Sequence, residues 1–161
     1  MSPSVLVRDA TIDDLDEVAR LFIELKHHHR QLQPHNPRYE VGDSAWRDTA
    51  RRALESPATI VYVAELDESV AGFVNLRLVE KPWGVSCEID TLVVTEGARG
   101  KGCGVELMRA AEDYAHLAGA RGIRVDVLIT NEGGRAFYEQ LGYEAFALRY
   151  GKATTVLPSS G

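Results

Sequence analysis

The stretch CEIDTLVVTEGARGKGCGVELM, Cys87 to Met108, runs from an apolar strand pattern through a glycine-rich turn into a helical pattern. Gly97, Gly100, Gly102 and Gly104 punctuate the turn, interleaved with Arg99 and Lys101. A strand that hands over to a helix in this way belongs to layered α/β architectures, in which a helix crosses over to a neighbouring strand. Such a turn has two uses. Glycines let the backbone approach a phosphate closely, and free N–H groups at a helix N-terminus surround an anion. Alternatively, the glycines serve conformation alone.

Two phosphate motifs can be tested directly. A P-loop requires glycine, four residues, then Gly-Lys-Ser/Thr. Here Gly100-Lys101 is followed by Gly102, and Thr95 stands where the first glycine belongs. The dinucleotide fingerprint GxGxxG fails as well, with Leu107 or Val105 at the third glycine position. What remains is Arg99-Gly100-Lys101-Gly102-Cys103-Gly104, a turn with no magnesium ligand.

The flanking sequence supplies the rest of the layers. Val5 to Arg8 reads as a short strand, and Thr11 as an N-cap followed by the acidic Asp13 and Asp14. Leu15, Val18, Leu21, Phe22 and Leu25 recur at helical spacing to roughly Lys26. Pro34, Asn36, Pro37 and Gly42 mark a loop, and a second helix is predicted from Ser44 to Glu55. Thr59–Leu66 and Val70–Val79 form an antiparallel hairpin around Asp67-Glu68-Ser69, with a third strand from Cys87 to Val94. After the helix that opens near Val105, Ile123–Ile129 reads as a strand buried on both faces. A short helix at Glu132–Leu141 and strands at Tyr143–Tyr150 and Ala153–Leu157 follow, with a frayed tail at 158–161.

Length and charge exclude several functions. One domain over residues 1–161 fits a chain of this length that is 45% hydrophobic. No apolar run is long enough for a bilayer, and no signal peptide pattern opens the chain, so a cytoplasmic location is expected. The net charge of −6 disfavours a nucleic-acid binder. Cys87 and Cys103 make neither a metal pattern nor a disulfide framework. His27, His28 and His29 are consecutive and fan around a helix end, unlike the i, i+4 spacing of metal pairs. No metal is therefore expected.

A second motif decides between the two uses of the turn. Asn131, Ala136, Tyr138, Gly142 and Tyr143 follow the pattern N-x-x-x-x-A-x-Y-x-x-x-G-Y, and Arg99, Gly102 and Gly104 follow R-x-x-G-x-G. Together, in this order and after the strand EIDTLVV, they resemble the GNAT family of acetyl-CoA-dependent N-acetyltransferases, with element order matching from Val5 to about Leu157. Gly133-Gly134 departs from the pattern, since helix formers are commoner there. The resemblance implies an α/β GNAT fold: a mixed, mostly antiparallel twisted sheet of about seven strands flanked by about four helices. A V-shaped splay is expected between the strands ending near Val94 and Ile129.

The resemblance also implies a cofactor site for acetyl-CoA. The amides of Arg99, Gly100, Lys101, Gly102, Cys103 and Gly104 would take the pyrophosphate. Backbone groups of Leu92, Val93 and Val94 would pair with the pantetheine arm, and Asn131 and Tyr138 occupy positions that contact that arm and its sulfur.

Acetyl transfer to an amine requires a neutral amine, a stabilised oxyanion and a proton for the thiolate. Strand alternation places Glu88, Asp90 and Leu92 on one face and Ile89, Thr91 and Val93 on the other. Glu88 falls where several family members carry the general base, while Asp90 either takes that role or holds a cationic group of the acceptor. The Leu92 N–H is the expected oxyanion donor and Tyr138 the general acid. His27 and Tyr39, near the loop that borders the acceptor site in the family, are substrate-contact candidates. Cys103 lacks a His-Asn neighbourhood, which argues against a covalent cysteine mechanism.

The expected activity is direct acetyl transfer from acetyl-CoA to a primary amine of a small molecule. Protein lysine or N-terminal acetylation, and a non-catalytic acyl-CoA-binding module, stay open as alternatives. The expected partner is an amine acceptor rather than nucleic acid or membrane, and a homodimer is left open.

Overall fold

The computed structural model describes residues 4–154. Strand β1 (Val5–Asp9) leads through a capped turn into helix α1 (Leu15–Leu32). The cap is a reciprocal box: the Thr11 side chain receives the Asp13 amide, and Asp14 Oδ2 accepts from the Thr11 amide at 2.8 Å. Arg8 donates to both Asp14 oxygens at 2.9 Å and to Glu65 at 2.9 Å, tying β1, the cap and the second strand together. Helix α1 runs well past Lys26 and takes in all three consecutive histidines. The apolar pattern ends at Leu25, but Lys, His, Arg and Gln sustain a helix and no breaker occurs before Pro34.

Helix α2 (Asp43–Glu55) packs beside α1. Strands β2 (Ile60–Leu66), β3 (Ser69–Lys81) and β4 (Gly84–Val94) form two tight hairpins. The first turns at Asp67 and Glu68, with φ of 51° and 66°. The second turns at Pro82-Trp83 before Gly84, so β3 and β4 are both longer than their sequence pattern suggests. Helix α3 (Cys103–Leu117) crosses over to β5 (Gly122–Val125), and α4 (Glu132–Gln140) follows.

The sheet order is β1-β2-β3-β4-β5, antiparallel except for the parallel β4–β5 pair. The described residues thus hold five strands rather than about seven. β5 is four residues long and only partly buried, shorter than the predicted Ile123–Ile129. Among the described residues, the Tyr143–Tyr150 segment forms no ladder. It meets β5 through Arg124 over the Phe146 ring and the residue after β5 through Arg149–Asp126 at 2.6 Å, with Phe146, Leu148 and Tyr150 exposed. A strand needs a paired backbone, not only an alternating pattern. Most of the expected Ala153–Leu157 strand lies outside the described residues.

Alternation along the strands builds two cores. Val74, Leu76, Cys87 and Ile89 face α3 and α4 with Leu107, Met108, Ala111 and Tyr138. Val61, Val63, Phe73 and Val93 face α1 and α2, where Phe22 stacks on both Phe73 and Trp46. The result is a helix–sheet–helix sandwich with the end of β4 at its centre.

A bulge interrupts this alternation in β4. Asn75 pairs with Thr91 and Leu76 with Ile89, so Asp90 has no residue opposite. The expected face assignment is therefore corrected. Glu88, opposite Arg77, shares the α1/α2 face with Thr91 and Val93, whereas Ile89, Leu92 and Val94 share the α3/α4 core.

Candidate active site

Pairing between β4 and β5 runs from Ser86–Gly122 to Ile89–Val125 and stops. From Asp90 to Val94, the β4 backbone on that side has no strand partner among the described residues. This gap leaves the outward backbone groups of Leu92 and Val94 facing it, as strand addition of an extended ligand requires, while those of Val93 turn to Phe73 of β3. Its far wall is the 126–130 connection, which ends in Asn131 at the start of α4.

The gap opens directly onto the glycine-rich turn. Gly100 and Gly102 have φ of +78° and +93°, and Gly102 caps α3 from the left-handed region. Left-handed backbone favours glycine, and neither position has an atom within 4 Å of where a Cβ would stand. The Gly100 to Val105 amides donate to no backbone acceptor among the described residues, whereas the Glu106 amide closes the first helical bond onto Gly102. A row of free amides at a helix N-terminus, with open space before it, fits a diphosphate held without metal. Gly104 plays a different part. A Cβ there would sit 3.2 Å from the Phe137 ring, so its absence lets α4 pack onto α3.

Arg99 donates from Nε to the Val94 carbonyl at 3.3 Å, and its side chain lies back along the turn. Lys101 is exposed. The turn is anchored from the other layer by Glu24, whose carboxylate accepts from Thr95 Oγ1 at 3.0 Å and from the Glu96 amide at 3.1 Å. In sequence, Glu24 looks like any polar residue of an amphipathic helix, and nothing there signals this contact.

Both candidate carboxylates of β4 have cationic neighbours, which offsets the cost of placing charge on a core strand. Glu88 accepts from Ser86 Oγ at 3.4 Å and lies 3.9 Å from Lys81 Nζ. Asp90, exposed at the bulge, accepts from Arg77 Nε at 3.0 Å. Between them and the α1–α2 core sit Asn75 and Thr91, buried polar residues opposite each other. The Asn75 Oδ1 is fully buried and has no hydrogen-bond partner among the described residues. A lone asparagine within FVNLRLV is the signal that reveals this position in sequence.

Tyr138 is only 9% exposed and packs edge-on against Phe137 and Tyr143. Burial raises its pKa, so the hydroxyl stays protonated through neutral pH. Asn131 accepts the Gly134 amide on Oδ1 at 3.0 Å, capping α4. A Cβ at Gly134 would stand 2.6 Å from Asn131 Nδ2, which explains that glycine in a helix start. Gly133 has no such close contact.

The acceptor-side candidates separate. His27 is exposed and paired with Asp43 at 3.1 Å. Tyr39 is buried, its ring against His29 at 5.5 Å, and its carbonyl accepts from Arg30 Nε at 2.7 Å. Cys103 and Cys87 are both buried with raised pKa values, Cys87 to about 11 through desolvation and the Glu88 and Asp90 charges. Neither has thiolate character. No described helix is long and apolar enough to cross a membrane, and no described group of three or more His, Cys, Asp or Glu residues is placed to hold a metal ion.

A sheet that parts beside a parallel strand, with an amide-lined helix start at the parting point, is a ligand-binding arrangement of α/β folds. The acetyltransferase (GNAT) family profile matches residues 20–143. The uncharacterized N-acetyltransferase YhfO of Bacillus subtilis (strain 168) is 30% identical over 143 residues, covering 86% of this chain and 89% of its own. The aminoalkylphosphonate N-acetyltransferase of Salmonella typhimurium (strain LT2) is 29% identical over 155 residues, covering 94% and 92%. Among solved structures, the aminoglycoside N-acetyltransferase AAC(6')-Iy in complex with CoA superposes with a TM-score of 0.69 at 17% identity, covering 96% of this chain and 98% of that one. This chain belongs to the GNAT family and is an N-acetyltransferase.

Proposed function

We propose that the protein transfers an acetyl group from acetyl-CoA directly to the primary amine of a small molecule. The observation that carries this reading is the continuity of the unpaired β4 edge, Asp90 to Val94, with the free amides of Gly100 to Val105. The Salmonella relative and the aminoglycoside enzyme, both named for acetylation of small amines, point the same way.

Acetyl-CoA, when bound, supplies the activated thioester. The chain's own groups divide the remaining work. The amides of the glycine turn would hold the diphosphate, and the β4 edge with Asn131 would align the arm. Glu88 takes a proton from the incoming ammonium, directly or through water, with Ser86 and Lys81 fixing its carboxylate. Asp90, tied to Arg77, is the alternative base or a contact for the acceptor. The Leu92 N–H meets the charge that develops on the carbonyl oxygen. Tyr138 keeps its proton until a thiolate needs it.

The direct test follows thiol release from acetyl-CoA across a panel of small amines, amino acids and peptide amines. Turnover with small amines and none with peptides supports the reading. Tight acetyl-CoA binding without turnover on any amine would replace it with a non-catalytic acyl-CoA-binding role.

A further inference from the structure

Helix α1 ends in an unusual electrostatic setting for a chain of net charge −6. From Lys26 to Tyr39 the sequence KHHHRQLQPHNPRY contains no carboxylate and seven basic side chains. In the fold this segment closes on itself, because Arg30 donates to the Tyr39 carbonyl and pins the buried Tyr39 ring against the helix.

Lys26 sits inside the closure. Its Nζ lies 5.0 Å from the Trp46 ring centroid, 5.2 Å from Phe22 and 5.9 Å from Tyr39. Three rings partly compensate a desolvated ammonium through their π faces. No acidic side chain among the described residues pairs with it, and desolvation and nearby Arg38 lower its pKa to about 8. His29, whose ring packs on Tyr39, has a buried Nδ1 with no partner among the described residues. Buried cations are ordinarily paired, so a desolvated ammonium beside Arg38 and an unpartnered imidazole lacks one component, an anion.

The position of this cluster relates it to the transfer point. Phe22 stacks on Phe73, which is opposite Val93, and the next residue of β3, Val74, is opposite Leu92. Lys26, one helical turn beyond Phe22, reaches back over the Phe22 ring, which itself stacks on Phe73 of this stretch of sheet. It also lies on the face that carries Thr91 and Glu88.

We infer that the acceptor amine carries a compact anionic group, a carboxylate or a phosphonate, that seats on Lys26 between Trp46 and Tyr39, with His29 as a second donor. The inference rests on the amine-acetylation reading and narrows its substrate class. The Lys26 to Tyr39 segment is locally positive within an acidic chain, with Asp43 pairing to its His27.

The test compares propylamine, 3-aminopropanoate and 3-aminopropylphosphonate, with their five-carbon homologues, in the wild type, Lys26→Met and Lys26→Arg. Met preserves the apolar stem against the rings. The expected result is kcat/KM at least tenfold higher for one anionic series than for the plain amines. That preference should shrink at least fivefold in Lys26→Met and be largely kept in Lys26→Arg. The better of the two acids identifies the anion. A second readout needs no turnover: propylphosphonate and propanoate are titrated against Trp46 fluorescence in a Trp83→Phe background. Saturable binding that weakens at least tenfold in Lys26→Met supports the seat even if no amine is acetylated, an outcome that would overturn the amine-acetylation reading instead. Equal use of plain and anionic amines, or anion binding unaffected by Lys26→Met, overturns the inference.

Discussion

Glu88 and Leu92, four residues apart in one strand, face opposite layers of the sandwich because Asp90 is bulged out of the β3–β4 ladder. Glu88 looks toward α1 and α2, where an acceptor would enter, while the Leu92 side chain packs into the α3/α4 core. Strict alternation would have put both on one side. The bulge thus separates the proposed base from the wall of the proposed cofactor slot while keeping the Leu92 N–H at the strand edge.

Replacing Glu88 by Gln should lower kcat/KM about 100-fold at pH 7, the usual scale for losing a general base. Activity should recover partly as the pH rises and more of the amine is already neutral. A pH–rate profile measures both effects, and an unchanged profile would move the role to Asp90.

Tyr138→Phe should lower kcat by about 10- to 100-fold with little change in KM, since only the proton donor is lost. Because burial raises the Tyr138 pKa, the wild-type profile should show no tyrosine limb through pH 10. A limb near pH 9 that disappears in the variant would contradict this assignment.

Gly102→Ala places a Cβ at φ of +93°, a strain of roughly 1–2 kcal/mol, in the middle of the amide row. Calorimetric titration should show acetyl-CoA binding weakened about tenfold, with a loss of only a few degrees in Tm. Gly97→Ala, at an open position without positive φ, is the control and should bind normally.

Asp14 joins the helix cap to Arg8, and that hydrogen bond is the main reason its pKa lies below the usual carboxylate range. A depressed folded pKa contributes stability that is present above the unfolded value and lost as pH falls through the folded one. Asp14→Asn should therefore cost about 1–3 kcal/mol at pH 7, and the gap to wild type should narrow as pH falls below about 4. Urea melts at pH 7 and pH 3 read the difference directly.

Thiol chemistry should be silent in the native state. With Cys87 raised to about 11 and both thiols buried, an aromatic disulfide reagent at pH 8 should label neither until urea is added. Rapid native labelling of Cys103, accompanied by loss of activity, would reopen a covalent mechanism.

Much of the site was legible because its parts are local. Glycine spacing, the strand before it, and the Asn131 and Tyr138 pattern each depend on a few neighbouring residues. Asn75 was visible only as an oddity in an apolar strand, and Glu24, Lys26 and Arg77 gave no signal. Their roles come from contacts across layers: Glu24 to Thr95, Lys26 to three rings, Arg77 to Asp90.

The sequence by itself determined the order of strands and helices from β1 to α4, the strand-to-helix turn and its need for glycine. These follow from backbone sterics and short-range periodicity. Only the tertiary structure decided which face each β4 carboxylate presents, since a single unpaired residue reverses the alternation. It likewise decided that the Lys26 ammonium of this basic run folds over the Phe22 and Trp46 rings, because charge acts through space and a net sum over residues carries no positions.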